Sequence, residues 1–166
     1  IDVYYLHNPE TQLQYVTPDE FRSRLRVAFE RMEQEAADGR IRFYGVATWE
    51  GLRVGSNDRR YLPLYQLVEI ARQVGGDKHR FRFLQFPYNL GMLEAVVDSN
   101  QPFERAVEGK IEKLTLPLLA VARQHALVAV GSAGLMQANV LDNVPEEVQA
   151  ALGEWESDAQ AAIHFN

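Results

Sequence analysis

Short runs of β-branched and aromatic residues alternate with amphipathic helical segments along this chain. That alternation constrains the fold more than any other feature of it. Residues 2–6, "DVYYL", read as a buried strand. A helix follows. Thr17 is suited to its N-cap, Pro18 to its first position and Glu20 to a capping box. Phe21, Leu25, Ala28, Phe29 and Met32 then recur at helical spacing, and Gly39 supplies a stop. The pattern predicts a second strand over 41–47, a helix near 62–74 ended by Gly75 and Gly76, and a third strand over 81–86 broken by Pro87. A long connection over 90–113 leads to a helix near 115–125 and a fourth strand in "LVAVGS", followed by a tail that is helical in two pieces. The order is βαβαβαβα, in about four βα units.

Short apolar strands between amphipathic helices imply a parallel sheet covered by helices. Two α/β architectures satisfy this order: part of a (β/α)8 TIM barrel, or an open doubly wound parallel sheet. Periodicity does not separate them, and both put functional residues at the carboxyl ends of the strands. No linker or low-complexity stretch divides residues 1–166, so a single domain is expected.

Charge and composition narrow the partners. With a net charge of −6, the chain has no general electrostatic pull toward nucleic acid or an anionic membrane surface. No apolar run reaches the roughly 18 residues of a membrane span. There is no cysteine, which removes disulfides, thiolate nucleophiles and Cys-based metal sites and allows a reducing, cytoplasmic location. An amino terminus that is Ile1 rather than Met leaves room for a removed leader.

The strand-end rule singles out four places. The first strand ends in His7-Asn8, the second in Ala47-Thr48-Trp49, and the fourth in Gly131-Ser132; the third carries Gln85 and continues to Tyr88 and Asn89. Three of them offer uncharged hydrogen-bonding groups and one an imidazole. No carboxylate pair stands among them, which argues against glycosidase chemistry. One histidine makes no metal site, and neither HExxH nor GxSxG occurs. "VGSAGL" lacks the spacing of a dinucleotide-binding glycine motif. On pattern alone, His7 also reads as a histidine bonded to a loop carbonyl, Thr48 as a cap and Asn89 as a turn residue. Gln85 is harder to dismiss, because a long amide inside "FLQF" needs partners if buried.

These residues resemble a family. "IDVYYLHNPE" is similar to the fourth strand of aldo/keto reductases, an apolar run ending in His and a Pro-containing turn. "GRIRFYGVATW" resembles the family's "GKIRxxGVSNF", "LQFPYNL" its "xQxxYN", and "LLAVARQHALVAVGSAGLM" its "LLxxCxxxxIxVxAYSPL". "SDAQAAIHF" resembles the helix before the last strand. The motifs stand in the family's order and cover nearly the whole chain.

The resemblance implies a TIM barrel from its fourth strand to the helix before its eighth. It implies hydride transfer from NADPH (NADP) to an aldehyde or ketone, with a Tyr giving the proton, assisted by Lys and Asp. Of that catalytic set only His7 matches, in the role of orienting and polarising the carbonyl oxygen. The residues matched to the nicotinamide site are Ala47-Thr48, in place of the family's Ser-Asn, and Gln85. Ser132 stands where the family has a stacking aromatic ring. Asn8, Trp49 and Asn89 are the expected substrate contacts. The regions that would hold the Asp, Tyr and Lys have no match here, so the chain is expected to be inactive alone, its open edges covered by the missing barrel half or by self-association. Two further readings stay open: a non-catalytic half-barrel that binds partners, and a flavodoxin-like domain that binds a nucleotide or phosphate.

Overall fold

The computed structural model describes residues 1–141 and 144–166. The chain begins with strand β1 (Val3–His7), a 3-10 turn over Pro9–Gln14 and helix α1 (Pro18–Ala37). Strand β2 (Phe43–Ala47), helix α2 (Leu64–Gly75) and strand β3 (Phe81–Pro87) follow. Next come a single turn, α3 (Glu94–Val97), and two strands, β4 (Gln101–Val107) and β5 (Lys110–Leu116). Helix α4 (Leu118–Gln124), strand β6 (Val128–Ser132) and helices α5 (Glu146–Leu152) and α6 (Asp158–Phe165) complete it. No described helix is long and apolar enough to cross a membrane.

The architecture is α/β. Strands β1, β2, β3 and β6 form one parallel sheet in that order, so neighbours in the sheet are successive parallel strands of the chain. A doubly wound sheet reverses its strand order at a switch point; the four described strands run in chain order without such a reversal. Thr17 caps α1 as expected, its Oγ1 accepting the Glu20 amide at 3.2 Å, while the Glu20 carboxylate accepts Arg24 at 2.7 Å instead of closing a capping box; Phe21, Leu25 and Phe29 are buried beneath the helix.

Helices α1, α2 and α4 pack on one face of the sheet. Tyr44, Val46, Leu84 and Phe86 form that face and share a core with Phe29 of α1, Leu64 and Leu67 of α2, and Leu118 and Val121 of α4. Each fully buried side chain of this size contributes about 1.5–3 kcal/mol, so this side drives the folding. Val3, Tyr5, Phe43, Phe83, Val128 and Val130 stand on the other face, by register, and none belongs to that core. Val128 is 46% exposed.

A bulge sorts two phenylalanines between these faces. Tyr44 pairs with Phe81 but Gly45 pairs with Phe83, so Arg82 is an extra residue in β3. Plain alternation would put Phe81 and Phe83 on one face; the extra residue separates them. Phe81 stacks on Phe29 in the core at 5.2 Å. Phe83 turns to the open face, 5.9 Å from Phe43 and 6.5 Å from Tyr5. The bulge also drives the Phe83 carbonyl so close to Gly45 that a Cβ there would collide with it.

The connection expected over 90–113 holds an antiparallel hairpin instead. Glu108 and Gly109 both have positive φ (50° and 77°), the two-residue turn whose twist suits paired strands. Arg105 pairs with Glu112 at 2.8 Å and Lys113 with Glu104 at 3.2 Å across it. The hairpin takes Thr115 and Leu116 into β5, so α4 starts at Leu118, later than periodicity implies. It also caps α2 from a distance. Gln101, fully buried, accepts the Leu64 N–H at 2.8 Å and donates to the Leu52 carbonyl at 3.1 Å.

Two outcomes follow. Gly45→Ala should lower unfolding stability by about 3 kcal/mol, the upper end for overpacking; urea denaturation checks this, and a cost under about 1 kcal/mol would show that β2 and β3 do not approach as described. The second concerns His125, which meets Phe103 of the hairpin edge-on at 6.2 Å. Burial, reinforced by Arg72, pushes its titration below the ordinary imidazole value. The folded ring resists a proton that the unfolded ring accepts near pH ~6.5, so its contribution is full above that pH and is lost as pH falls through the folded value. Denaturation midpoints taken between about pH 5 and 8 should fall less steeply toward acid in His125→Phe than in the wild type; equal slopes would contradict this.

Candidate functional site

Parallel pairing with one face open brings side chains from separate strands into line. His7 is level with Ala47, Ala47 with Gln85, and Gln85 with Val130. Partners level in a sheet point to the same side, so the His7 imidazole and the Gln85 amide share the open face at the carboxyl ends of their strands. Two strand spacings separate them, about 10 Å, with only the Ala47 methyl between. Ser132 lies one step farther out on β6, level with Pro87, on the same face. Tyr5 and Phe83 form the floor one step below. Burial pushes the Tyr5 phenol up, which keeps it protonated and makes it a hydrogen-bond donor rather than a ready acid.

The first strand ends abruptly for a local reason. Asn8 adopts the left-handed conformation (φ 46°, ψ 52°), which Asn tolerates better than most residues, and Pro9 opens the 3-10 turn. The Asn8 carbonyl accepts the Thr11 hydroxyl at 2.8 Å and the Thr11 amide at 3.2 Å. The Asn8 amide donates to the Ala47 carbonyl at 2.6 Å, which ties this turn to β2. The turn carries Glu10 inward.

The remaining sequence-derived candidates divide by burial. Trp49 is 48% exposed at the rim. Thr48 is 4% exposed, its amide donating to the Gln85 carbonyl at 2.8 Å, and its hydroxyl has no hydrogen-bond partner among the described residues. Asn89 is fully buried and its amide is engaged by the chain itself, donating to the Ala133 carbonyl at 2.9 Å and accepting the Gly91 N–H at 2.8 Å. His7, Gln85 and Ser132 are thus brought together, Asn8 and Trp49 flank them, and Thr48 and Asn89 lie beneath the surface.

Sequence reasoning passed over the polar residues that hold the loop after β2. Glu10, 2% exposed, accepts the amides of Trp49, Glu50 and Gly51 on Oε1 at 2.9, 3.2 and 3.3 Å. Arg53, also buried, donates to the Trp49 carbonyl at 3.1 Å and pairs with Glu94 at 2.7 Å. Asn100 donates to the carbonyls of Leu52 and Val54 at 3.1 and 3.0 Å. The only sequence signal was an acidic residue inside the turn that follows His7. In contrast to these tie-downs, the His7 ring and the Gln85 amide make no side-chain hydrogen bond with another described residue.

No group of three or more His, Asp or Glu side chains placed to hold a metal ion occurs among the described residues. No protein-family model matches the chain, and no curated protein matches it.

Proposed function

We propose that this chain is the part of an aldo/keto reductase-like (β/α)8 barrel running from the fourth strand to the helix before the eighth, and that the full-length protein reduces an aldehyde or ketone with NADPH. One observation carries the reading. His7 and Gln85 stand level on the open face of a sheet whose strands follow chain order, at their carboxyl ends and free of other side-chain partners. In a barrel that face is the interior and that end is the mouth.

The chain's residues fit the nicotinamide group in part. Gln85 offers both a donor and an acceptor, the complement of a carboxamide. Ala47 offers neither, and the Thr48 hydroxyl is buried rather than at the mouth. No Lys or Arg follows Arg123 in the sequence, so the phosphates of the cofactor would need cations from elsewhere. Bound NADPH would supply the hydride. His7 would donate an imidazole N–H to the substrate's carbonyl oxygen and so stabilise the charge that grows there. Gln85 would fix the orientation of the nicotinamide. The proton would come from a group outside this chain, since none of its tyrosines matches the family's proton donor.

The apolar open face supports a third part of the proposal, that the remaining barrel strands or a second copy of this chain cover it. A non-catalytic half-barrel module is the runner-up, favoured by the same exposed Val128 and half-buried Tyr5, Phe43 and Phe83. A flavodoxin-like nucleotide site is the less favoured reading, because it uses a strand-order reversal and the four described strands run in chain order.

In the full-length protein, Gln85→Ala should weaken NADPH binding about tenfold, from one or two hydrogen bonds worth roughly 0.5–1.5 kcal/mol each. His7→Ala should leave that binding unchanged and slow carbonyl reduction about 10²-fold, as loss of an oxyanion donor does. Fluorescence titration and NADPH consumption measure the two. A wild type that neither binds nor oxidises NADPH would sink the proposal and favour the interaction module.

A further inference from the structure

Glu10 is a buried carboxylate that the proposed chemistry does not use. It reaches across from the turn after β1 to the loop after β2, and its partners there are three consecutive backbone N–H groups on one oxygen rather than a cation. Such convergent amide dipoles stabilise a buried negative charge. The loop is shaped to receive it. A Cβ at Gly51 would lie 3.1 Å from the Glu10 Cβ and 2.9 Å from the Leu62 side chain, so only glycine lets the backbone close over both. The Leu62 amide then locks onto the Gly51 carbonyl at 2.7 Å. A neutral amide in place of the carboxylate would accept the same bonds more weakly.

We infer that Glu10 is a positioning residue, which through the amides of residues 49–51 fixes where Trp49 stands beside the His7–Ala47–Gln85 line. The inference rests on the carbonyl-reductase reading above, because it gives Trp49 a substrate to meet. Glu10 acts on binding, not on the chemical step: its hydrogen bonds go to the loop, whereas His7 is held by β1 pairing with β2.

The test uses the full-length protein and the variants Glu10→Gln and Glu10→Ala. Hydrogen exchange at the amides of Trp49, Glu50 and Gly51 should quicken about tenfold in Glu10→Gln and further in Glu10→Ala, while the β2 and β3 ladder amides stay protected. With Glu10→Gln, the KM for a carbonyl substrate should rise about tenfold, with kcat within about threefold of wild type. Unchanged exchange at the three amides in both variants would overturn the inference. So would a loosened loop in Glu10→Gln that leaves its KM unaltered, provided the wild type binds NADPH. If the wild type binds no NADPH, the carbonyl-reductase reading fails by itself, and the exchange data alone decide whether Glu10 holds the loop.

Discussion

The packing of every crossover helix onto a single face of a four-stranded parallel sheet governs the rest of the molecule. Tyr44, Val46, Leu84 and Phe86 are buried beneath the helices, and that burial fixes the register of β2 and β3. A slip by one residue would turn all of them outward, at about 1.5–3 kcal/mol for each side chain exposed. The register then decides what stands on the other face. His7, Ala47, Gln85 and Val130 become level because Leu6, Val46 and Leu84, one residue before the first three, turn toward the helix side. The candidate site is therefore a consequence of the core rather than an addition to it.

The mouth of the sheet is organised by buried side-chain to backbone bonds between loops. Glu10 holds the loop after β2, Gln101 caps α2 and Asn89 holds the chain leaving β6. Arg53 adds an ion pair to Glu94. A hydrogen bond of this kind is worth about 0.5–1.5 kcal/mol net, and more is lost when its buried partner is left alone. These bonds are few against the apolar core, so they shape the loops rather than drive folding. Against them, His7 and Gln85 stand out as polar groups with no such structural engagement.

The α/β architecture was legible in the sequence, because the helix signals are local. Thr17, Pro18 and Glu20 mark the start of α1 within four residues, and Phe21, Leu25 and Phe29 mark its buried stripe. Strand ends at His7 and Ala47 followed from the loss of apolar character. The hairpin was hidden because Glu108, in a conformation that favours Gly or Asn, disguises its turn, and because "FERAVEGKIEK" carries the charges of a linker. The roles of Glu10 and Gln101 depend on partners 37 to 49 residues away, which no local pattern reports. Strand order likewise had to come from three-dimensional pairing. The burial of Thr48 and Asn89 was out of reach for the same reason, since strand-end position alone does not say which way a loop folds.

The central claim is that the open face at His7 and Gln85 receives a nicotinamide. The side-chain amide of Gln85 reports on it directly. In full-length protein labelled with nitrogen-15, titration with NADPH should shift the Gln85 side-chain NH2 resonances together with the backbone amides of Thr48 and Trp49, and leave the side-chain amide of Gln66 on α2 unmoved. NADPH binding that leaves the Gln85 amide where it was, or no binding at all, would contradict the account.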